Sequence, residues 1–525
     1  MATAAYGQSR VSGVRAAARS LAAAWPGARA IAIPLAIVAL ALFLRTWRLE
    51  LQGWTPDTYE QLDATKRLIA GEFPVSYLYP PGVAITMAPF LQVLPATLAS
   101  MQIVIIGSSL LLVAVSYVFV VKATGDRVAA ALLALGVAIA PEFVALSRVG
   151  LFDLIGTTWI ISAIVLVPAL RGRGLWAFAL YGVMLSIAIN IRANNAAFLP
   201  LLVIYWCADG GVPFRPRAIV AAVLRRELLL ALGVMTALSL LYAWIGGWTS
   251  NAQRAPFTIA PYAAHVAFYA GAEFGSVAGV VIAPLAALGA SELWRRNRTL
   301  LIVAIYMLVV WPLVHAPLPF INTRYMLAPL LFALMLAAHA PAAIARMGAG
   351  WEAESRRAAA RAVIGGVVIL GLGWAVFDGA MLYTWPDLAA QSHEAAYRQL
   401  RPVVAQLPPG SLFVSPGTRG VRDSNTTIEY LDVMDYSIAG GGNPPERIQG
   451  IADQVAAARA DGRAVYYLYT PFEGLGGNLA HPLTRNSDGA GGPGYDRYYD
   501  GITARFGVTE AYRTTVKYFI LYRVD

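Results

Sequence analysis

The sequence is short of two things that water-soluble proteins use freely, charge and cysteine. Only 13% of its 525 residues are charged, about half the ~25% share of an ordinary soluble chain. A surface so poor in charge cannot face water over most of its area. The single cysteine, Cys207, excludes an intrachain disulfide and any metal site built from cysteines. A cleavage signal is missing too. The first apolar run, Ala30 to Leu44, follows Arg10, Arg15, Arg19 and Arg29, but it leads straight into Arg45-Thr46-Trp47-Arg48. With no small-residue site there, it reads as an uncleaved first span rather than a signal peptide. The net charge of +10 comes without a dense basic patch or interleaved aromatics, which excludes a nucleic-acid partner. No internal repeat is visible. Nor is there a phosphate-cradling glycine loop, because Gly440-Gly441-Gly442 and Gly476-Gly477 lack the strand-to-helix setting that one needs.

What is present is apolar. Hydrophobic residues make up 58% of the chain, and the mean hydropathy is +0.58. A membrane-spanning helix needs roughly 17–25 mostly apolar residues. By that measure spans fall at 30–46, 97–121, 128–146, 154–170, 175–191, 195–208, 227–247, 275–291, 299–315, 325–344 and 362–384. The expected architecture is therefore a polytopic α-helical membrane domain of about eleven helices, residues 1–384, followed by a small α/β domain, residues 385–525. In the latter, a helix near 390–406, a strand Leu412 to Ser415, a helix around Ala456 to Arg459, a strand Ala464 to Tyr469 and a paired tail from Tyr512 to Arg523 alternate as α/β domains do.

Basic residues orient this chain. With the N-terminus in the cytoplasm, nineteen Lys and Arg fall in cytoplasmic segments and eight in the opposite loops before the C-terminal domain. That bias puts the C-terminal domain on the periplasmic or extracellular side of an inner or plasma membrane. The eight exceptions include Arg45, Lys66, Arg148, Arg192, Arg254 and Arg324, and most sit singly near a membrane boundary, where a charge needs a partner or a function. The first outer loop, residues 46–96, is long and acidic, with Asp57, Glu60 and Asp63. Apolar spacing from Thr58 to Ile69 predicts an amphipathic helix in the interface, with Pro56 at its start and Gly71 at its end. Acids and arginines on short loops of one bundle must converge near one membrane face. A carboxylate can deprotonate a hydroxyl and guanidinium groups grip phosphate oxygens, so the set suits group transfer from a lipid-linked phosphate.

The order of these features resembles the GT-C glycosyltransferases, in particular the branch of the protein O-mannosyltransferases and the aminoarabinose transferase that modifies lipid A. The matching features are Arg45 at the end of the first span, Asp57 opening the first outer loop, and Tyr79-Pro80-Pro81. They continue with Arg148 and Asp153 in the second outer loop, Arg192 after the fifth span, Arg324-Tyr325 opening a late span, and a closing α/β domain. The resemblance covers nearly the whole chain. It implies an inverting transfer of one sugar, a mannosyl or arabinosyl group among the candidates, from a polyprenyl-phosphate donor to a lipid, glycan or protein hydroxyl, with no cofactor. It makes Asp57 the base or the residue beside it. The family's second, adjacent carboxylate is replaced here by Thr58, which leaves Glu60 or Asp63 as alternatives. Asp153 is either a second acid of the site or a buried partner of Arg148. Arg45, Tyr59, Lys66, Tyr79, Arg148, Arg192, Asn194, Arg324 and Tyr325 are the expected substrate contacts. No metal is indicated, since His265 and His315 lie in different loops without ligand spacing and read as ordinary buried histidines. A divalent metal stays open. The readings from other classes are a secondary transporter and a noncatalytic membrane assembly protein.

Overall fold

The computed structural model describes residues 28–47, 56–75, 80–148, 152–213, 215–246, 279–316, 323–347, 393–415, 421–432, 444–469, 495–515 and 519–525, with a few single positions between these blocks. Tyr79, Arg254, nearly all of the expected 362–384 span and the side chains of Asp57 and Tyr59 lie outside the described residues.

The bundle opens with α1 (Ala28–Thr46), α2 (Pro56–Ala70) and α3 (Gly82–Leu91). The long α4 (Leu98–Thr124) follows, then α5 (Arg127–Ile139), α6 (Pro141–Arg148), α7 (Asp153–Leu166) and α8 (Leu175–Ile191). A 3-10 segment, Ala193–Phe198, leads into α9 (Leu199–Asp209), α10 (Pro216–Val223) and α11 (Arg226–Gly246). The last part comprises α12 (Gly279–Arg296), α13 (Arg298–His315), a 3-10 turn Thr323–Met326, α14 (Leu327–Ala338) and α15 (Ala340–Met347).

Among the described residues four helices are long and apolar enough to cross a membrane, or five if α5 and α6 count as one span bent by 46°. That is fewer than the eleven runs in the sequence, and proline accounts for part of the difference. Pro141 has no N–H to offer Val137, so the helix breaks there. Pro341 leaves its segment whole, since Arg324–Met347 counts as one of the four spans. The expected short run 195–208 is split between a 3-10 segment and α9. The loop helix agrees with its sequence signals at both ends, since Pro56 is its first residue and Gly71 follows it at φ +74°. The apolar α3 inside the first outer loop was not expected.

Close helix packing rests on glycine at two sites. A Cβ on Gly182 of α8 would lie 2.4 Å from the Ala231 carbonyl oxygen of α11. One on Gly289 of α12 would lie 1.7 Å from that of Leu336 in α14. Small residues of this kind let helix backbones touch where apolar burial offers little drive inside a lipid phase. At the end where α4 finishes, charges pair across helices. Glu292, buried in α12, meets Arg296 at 2.5 Å and Arg346 of α15 at 2.7 Å, while Arg296 reaches Asp126 at 3.8 Å. Arg171 pairs with Asp209 and lies 4.5 Å over the Trp206 ring.

The C-terminal part contains α16 (His393–Ala405), β1 (Leu412–Ser415), β2 (Glu429–Asp432), α17 (Pro444–Ala460), β3 (Val465–Tyr469), α18 (Tyr495–Thr503), β4 (Val508–Arg513) and β5 (Ile520–Val524). The sheet runs β2-β1-β3-β5-β4, with β1 parallel to β2 and β3, and β5 antiparallel to β3 and β4. Both faces are covered, which explains why β1 and β3 are nearly continuous apolar runs. Ala396, Leu400 and Val404 of α16 pack on Phe413 and Leu468. On the other face Ile451 and Val455 of α17 and Ile502 of α18 pack on Val414 and Tyr467. Leu98, the first residue of α4, packs against the α16 side of this core. The sheet domain therefore sits at the end of the bundle where α4 begins.

Candidate functional site

Three short connections at that end each deliver a charged or aromatic side chain to one cleft. Asp153 is the first residue of α7, where the helix dipole favours a carboxylate. Arg192 caps the C-terminus of α8 in extended conformation (φ −149°, ψ 129°), so the chain turns and its side chain is released across the bundle. Arg324 and Tyr325 lie in the 3-10 turn before α14. Arg192 Nη2 meets Asp153 Oδ1 at 2.8 Å, and Arg324 Nε lies 3.8 Å from Oδ2. The Arg192 guanidinium also covers the Tyr325 ring at 4.3 Å and the Phe152 ring at 5.1 Å, with Arg324 5.5 Å over Tyr325. The cleft is lined by these residues with Gly156, Thr157, Ile160, Ile191, Asn195, Trp311 and His315.

The charge count is uneven. Among the described residues lining the cleft, Asp153 is the one carboxylate facing two guanidinium groups. Two guanidinium groups side by side repel one another, and an anion entering the cleft eases that repulsion. The unsatisfied hydrogen-bonding capacity points the same way, because Arg192 Nε is buried without a hydrogen bond. The arrangement suits a phosphate, whose oxygens match guanidinium donors.

The first outer loop touches the chain on both sides of the cleft, before α7 and at the end of α8. Thr58 Oγ1 donates to the Gly150 carbonyl at 3.3 Å, three residues before Asp153. The first turn of α2, with Asp57 in its backbone, is thus held against the loop that carries Asp153. Gly82, opening α3, lies so close to the end of α8 that a Cβ would sit 2.3 Å from Asn190 C and 2.5 Å from Ile191 N. Pro80-Pro81-Gly82 is therefore pressed against the turn that presents Arg192. Glu60 is buried in α2 and Lys66 half-buried.

No family profile matches the sequence, and no curated protein matches it either. Solved structures do match. ArnT from Cupriavidus metallidurans bound to undecaprenyl phosphate superposes with a TM-score of 0.61 over 93% of this chain and 97% of that one, at 12% identity. Its apo state gives 0.61 over 94% and 98%, at 13% identity. The archaeal oligosaccharyltransferase AglB from Archaeoglobus fulgidus, in complex with an inhibitory peptide and a dolichol-phosphate, gives 0.50 over 85% of this chain and 69% of that one, at 12% identity. The chain has the GT-C fold.

Within this GT-C bundle the residues expected from sequence divide into two groups. Asp153, Arg192, Arg324 and Tyr325 meet in the cleft. Asp153 pairs there with Arg192 and Arg324 and not with Arg148, the partner that the sequence suggested. Arg45 and Arg148 are fully buried and bond backbone carbonyls elsewhere in the GT-C core. Arg45 Nη2 donates to Val137 O at 3.1 Å and Nη1 to Ala138 O at 2.8 Å, while its Nε donates to Ser109 Oγ at 2.7 Å. It thereby satisfies carbonyls that the helix break at Pro141 would otherwise orphan. Arg148 Nη1 donates to the Leu44 and Trp47 carbonyls at 3.1 and 2.6 Å, closing the end of α1. Asn194 does not line the cleft, whereas its neighbour Asn195 does, held by a 2.8 Å bond from Nδ2 to the Ala188 carbonyl. Trp311 escaped sequence reasoning, and His315 was expected to be an ordinary buried histidine with no part in the site. Their signal is the i, i+4 spacing at the end of α13, which puts both on one helix face. Among the described residues no group of three or more His, Cys, Asp or Glu could hold a metal.

Proposed function

We propose that this protein is a membrane glycosyltransferase that moves one sugar from a polyprenyl-phosphate carrier to an acceptor hydroxyl. The observation that carries this reading is the pair of guanidinium groups, Arg192 and Arg324, gathered about Asp153 in one cleft of a GT-C bundle. A neighbour with the same fold was solved with undecaprenyl phosphate, a ligand of the chemistry this cleft suits. In the reaction, Asp57 takes the proton of the acceptor hydroxyl, and the acceptor oxygen attacks the anomeric carbon from the face opposite the phosphate. The bond from that carbon to the phosphate oxygen breaks, the configuration inverts, and the prenyl phosphate departs with both electrons. Arg192 and Arg324 take up the charge that develops on it. Asp153 holds the two guanidinium groups apart and in plane, and Glu60 or Asp63 on α2 supplies any second carboxylate. The N-terminus lies in the cytoplasm and the sheet domain outside, close to where the acceptor arrives; acceptors of this class are lipids, glycans or proteins.

The deciding experiment uses purified protein with a polyprenyl-phosphate sugar. Asp57→Asn is expected to fold and bind the donor yet lose transfer by at least about a hundredfold, the scale of a lost general base. Full transfer by that variant would remove Asp57 from the mechanism. Failure of the wild type to bind undecaprenyl phosphate would remove the donor assignment itself.

A further inference from the structure

His315 is the last residue of α13, 1% exposed, and it lines the cleft without taking part in the reaction described above. Its imidazole stacks on Trp311 at 4.9 Å with planes 28° apart, and faces Tyr325 at 5.7 Å and 37°. Its Nδ1 lies 2.9 Å from the Trp311 carbonyl. A carbonyl only accepts, so Nδ1 carries the hydrogen. Trp311 in turn donates its indole N–H to the Tyr325 carbonyl at 2.7 Å. Trp311 thus grips both of its neighbours, one by ring and backbone and the other through its indole nitrogen.

Tyr325 needs that support. It belongs to the 3-10 turn, Thr323–Met326, that opens the helical segment continuing into α14, where the first backbone N–H groups have no intrahelical partner. Yet its ring is the surface on which the Arg192 guanidinium lies, at 4.3 Å. A guanidinium follows the face it stacks on, because the attraction depends on position over the ring. The plane of Tyr325 therefore sets where Arg192 can reach, and the imidazole behind Tyr325 sets that plane.

We propose that His315 is a positioning residue, wedged between Trp311 and Tyr325 so that Tyr325 holds Arg192 in its phosphate-binding pose. The inference rests on the reading of the cleft as a site for a prenyl phosphate. It makes the ring, and not a charge on it, the functional element. Phenylalanine should therefore substitute for histidine here, and alanine should not.

Two measurements on full-length protein in detergent test this. The first is binding of undecaprenyl phosphate by native mass spectrometry; the second is the rate at which phenylglyoxal modifies Arg192, read by peptide mass spectrometry. His315→Ala is expected to weaken binding about tenfold and to speed Arg192 labelling. His315→Phe should restore both to within about twofold of wild type. If the alanine variant does not fold, His315→Asn takes its place; it keeps a donor for the Trp311 carbonyl but lacks the ring, and should behave as alanine does. Wild-type labelling of Arg192 in a folded ring-less variant overturns the proposal, and so does a phenylalanine variant as impaired as alanine. If wild type itself binds no undecaprenyl phosphate, the phosphate reading fails, while the labelling rates still decide the positioning role.

Discussion

Asp153 illustrates how a carboxylate can be necessary to a site without acting as its base. It is clamped between Arg192 at 2.8 Å and Arg324 at 3.8 Å, so removing its charge leaves two cations facing the cleft. Asp153→Asn is therefore expected to bind undecaprenyl phosphate at least as tightly as wild type, because the cleft becomes more positive. Transfer should fall at least about tenfold as the guanidinium groups lose their alignment. A parallel loss of affinity would show that Asp153 contacts the donor in another way. Arg45 makes the opposite point. Its sequence position resembles a substrate contact, but its donors close the carbonyls of Val137 and Ala138. Replacing it by methionine should cost about 3 kcal/mol of stability, since buried acceptors are left unpaired. Denaturation in detergent measures this, and an unchanged midpoint would show that water or another donor fills the gap. The sequence placed all these arginines at membrane boundaries, where charge is costly, but did not distinguish a ligand-facing guanidinium from one spent on backbone. That distinction depends on where helices break, since the break at Pro141 frees the carbonyls that Arg45 takes up.

At the scale of elements, apolar runs were legible and their continuity was not. The run 128–146 is apolar apart from Glu142, yet it divides at Pro141 into two helices bent by 46°. Proline was visible in the sequence, but many membrane helices carry proline without breaking, as α1 does with Pro34. The amphipathic α2 was legible because Pro56 and Gly71 mark its ends. The short apolar α3 was not, as ten residues fall below any spanning length. Its place depends on a glycine. Gly82→Ala would drive a Cβ into the backbone of Asn190 and Ile191 and push α3 off the end of α8. The expected outcome is a folded protein with a fall in melting temperature of a few degrees, the scale of an overpacking cost of about 1–3 kcal/mol, and with disturbed Arg192 geometry. A variant with wild-type transfer would show that the α3–α8 contact is not needed by the site. The small sheet domain was read more closely, since β1 and β3 are unbroken apolar runs flanked by turns. The strand β2, Glu429–Asp432, went unseen because its polar ends hide it until β1 is beside it.

For the molecule as a whole, the charge asymmetry of the sequence and the geometry of the bundle describe the same axis. Asp153, Arg192 and Arg324 gather near the start of α4, and Asp126, Arg296 and Arg346 near its end. The sheet domain touches the first of these ends through Leu98. If the positive-inside rule governs insertion, a cysteine introduced at Arg505 of the sheet domain should react with a membrane-impermeant maleimide added to intact cells. One at Arg298 should react only after the membrane is opened. Labelling in the reverse order would invert the orientation and with it the side on which the cleft opens.

Such experiments gain from the one native thiol. Cys207 lies in α9 with no exposed surface, packed in the main core of the bundle. A buried thiol reacts only when its surroundings part, so its alkylation rate records how often this region opens. The chain therefore carries an internal clock for its own excursions from the native state, readable in a bilayer without any added probe. Run with and without a bound prenyl phosphate, that clock would report whether filling the cleft quiets the core around the end of α9.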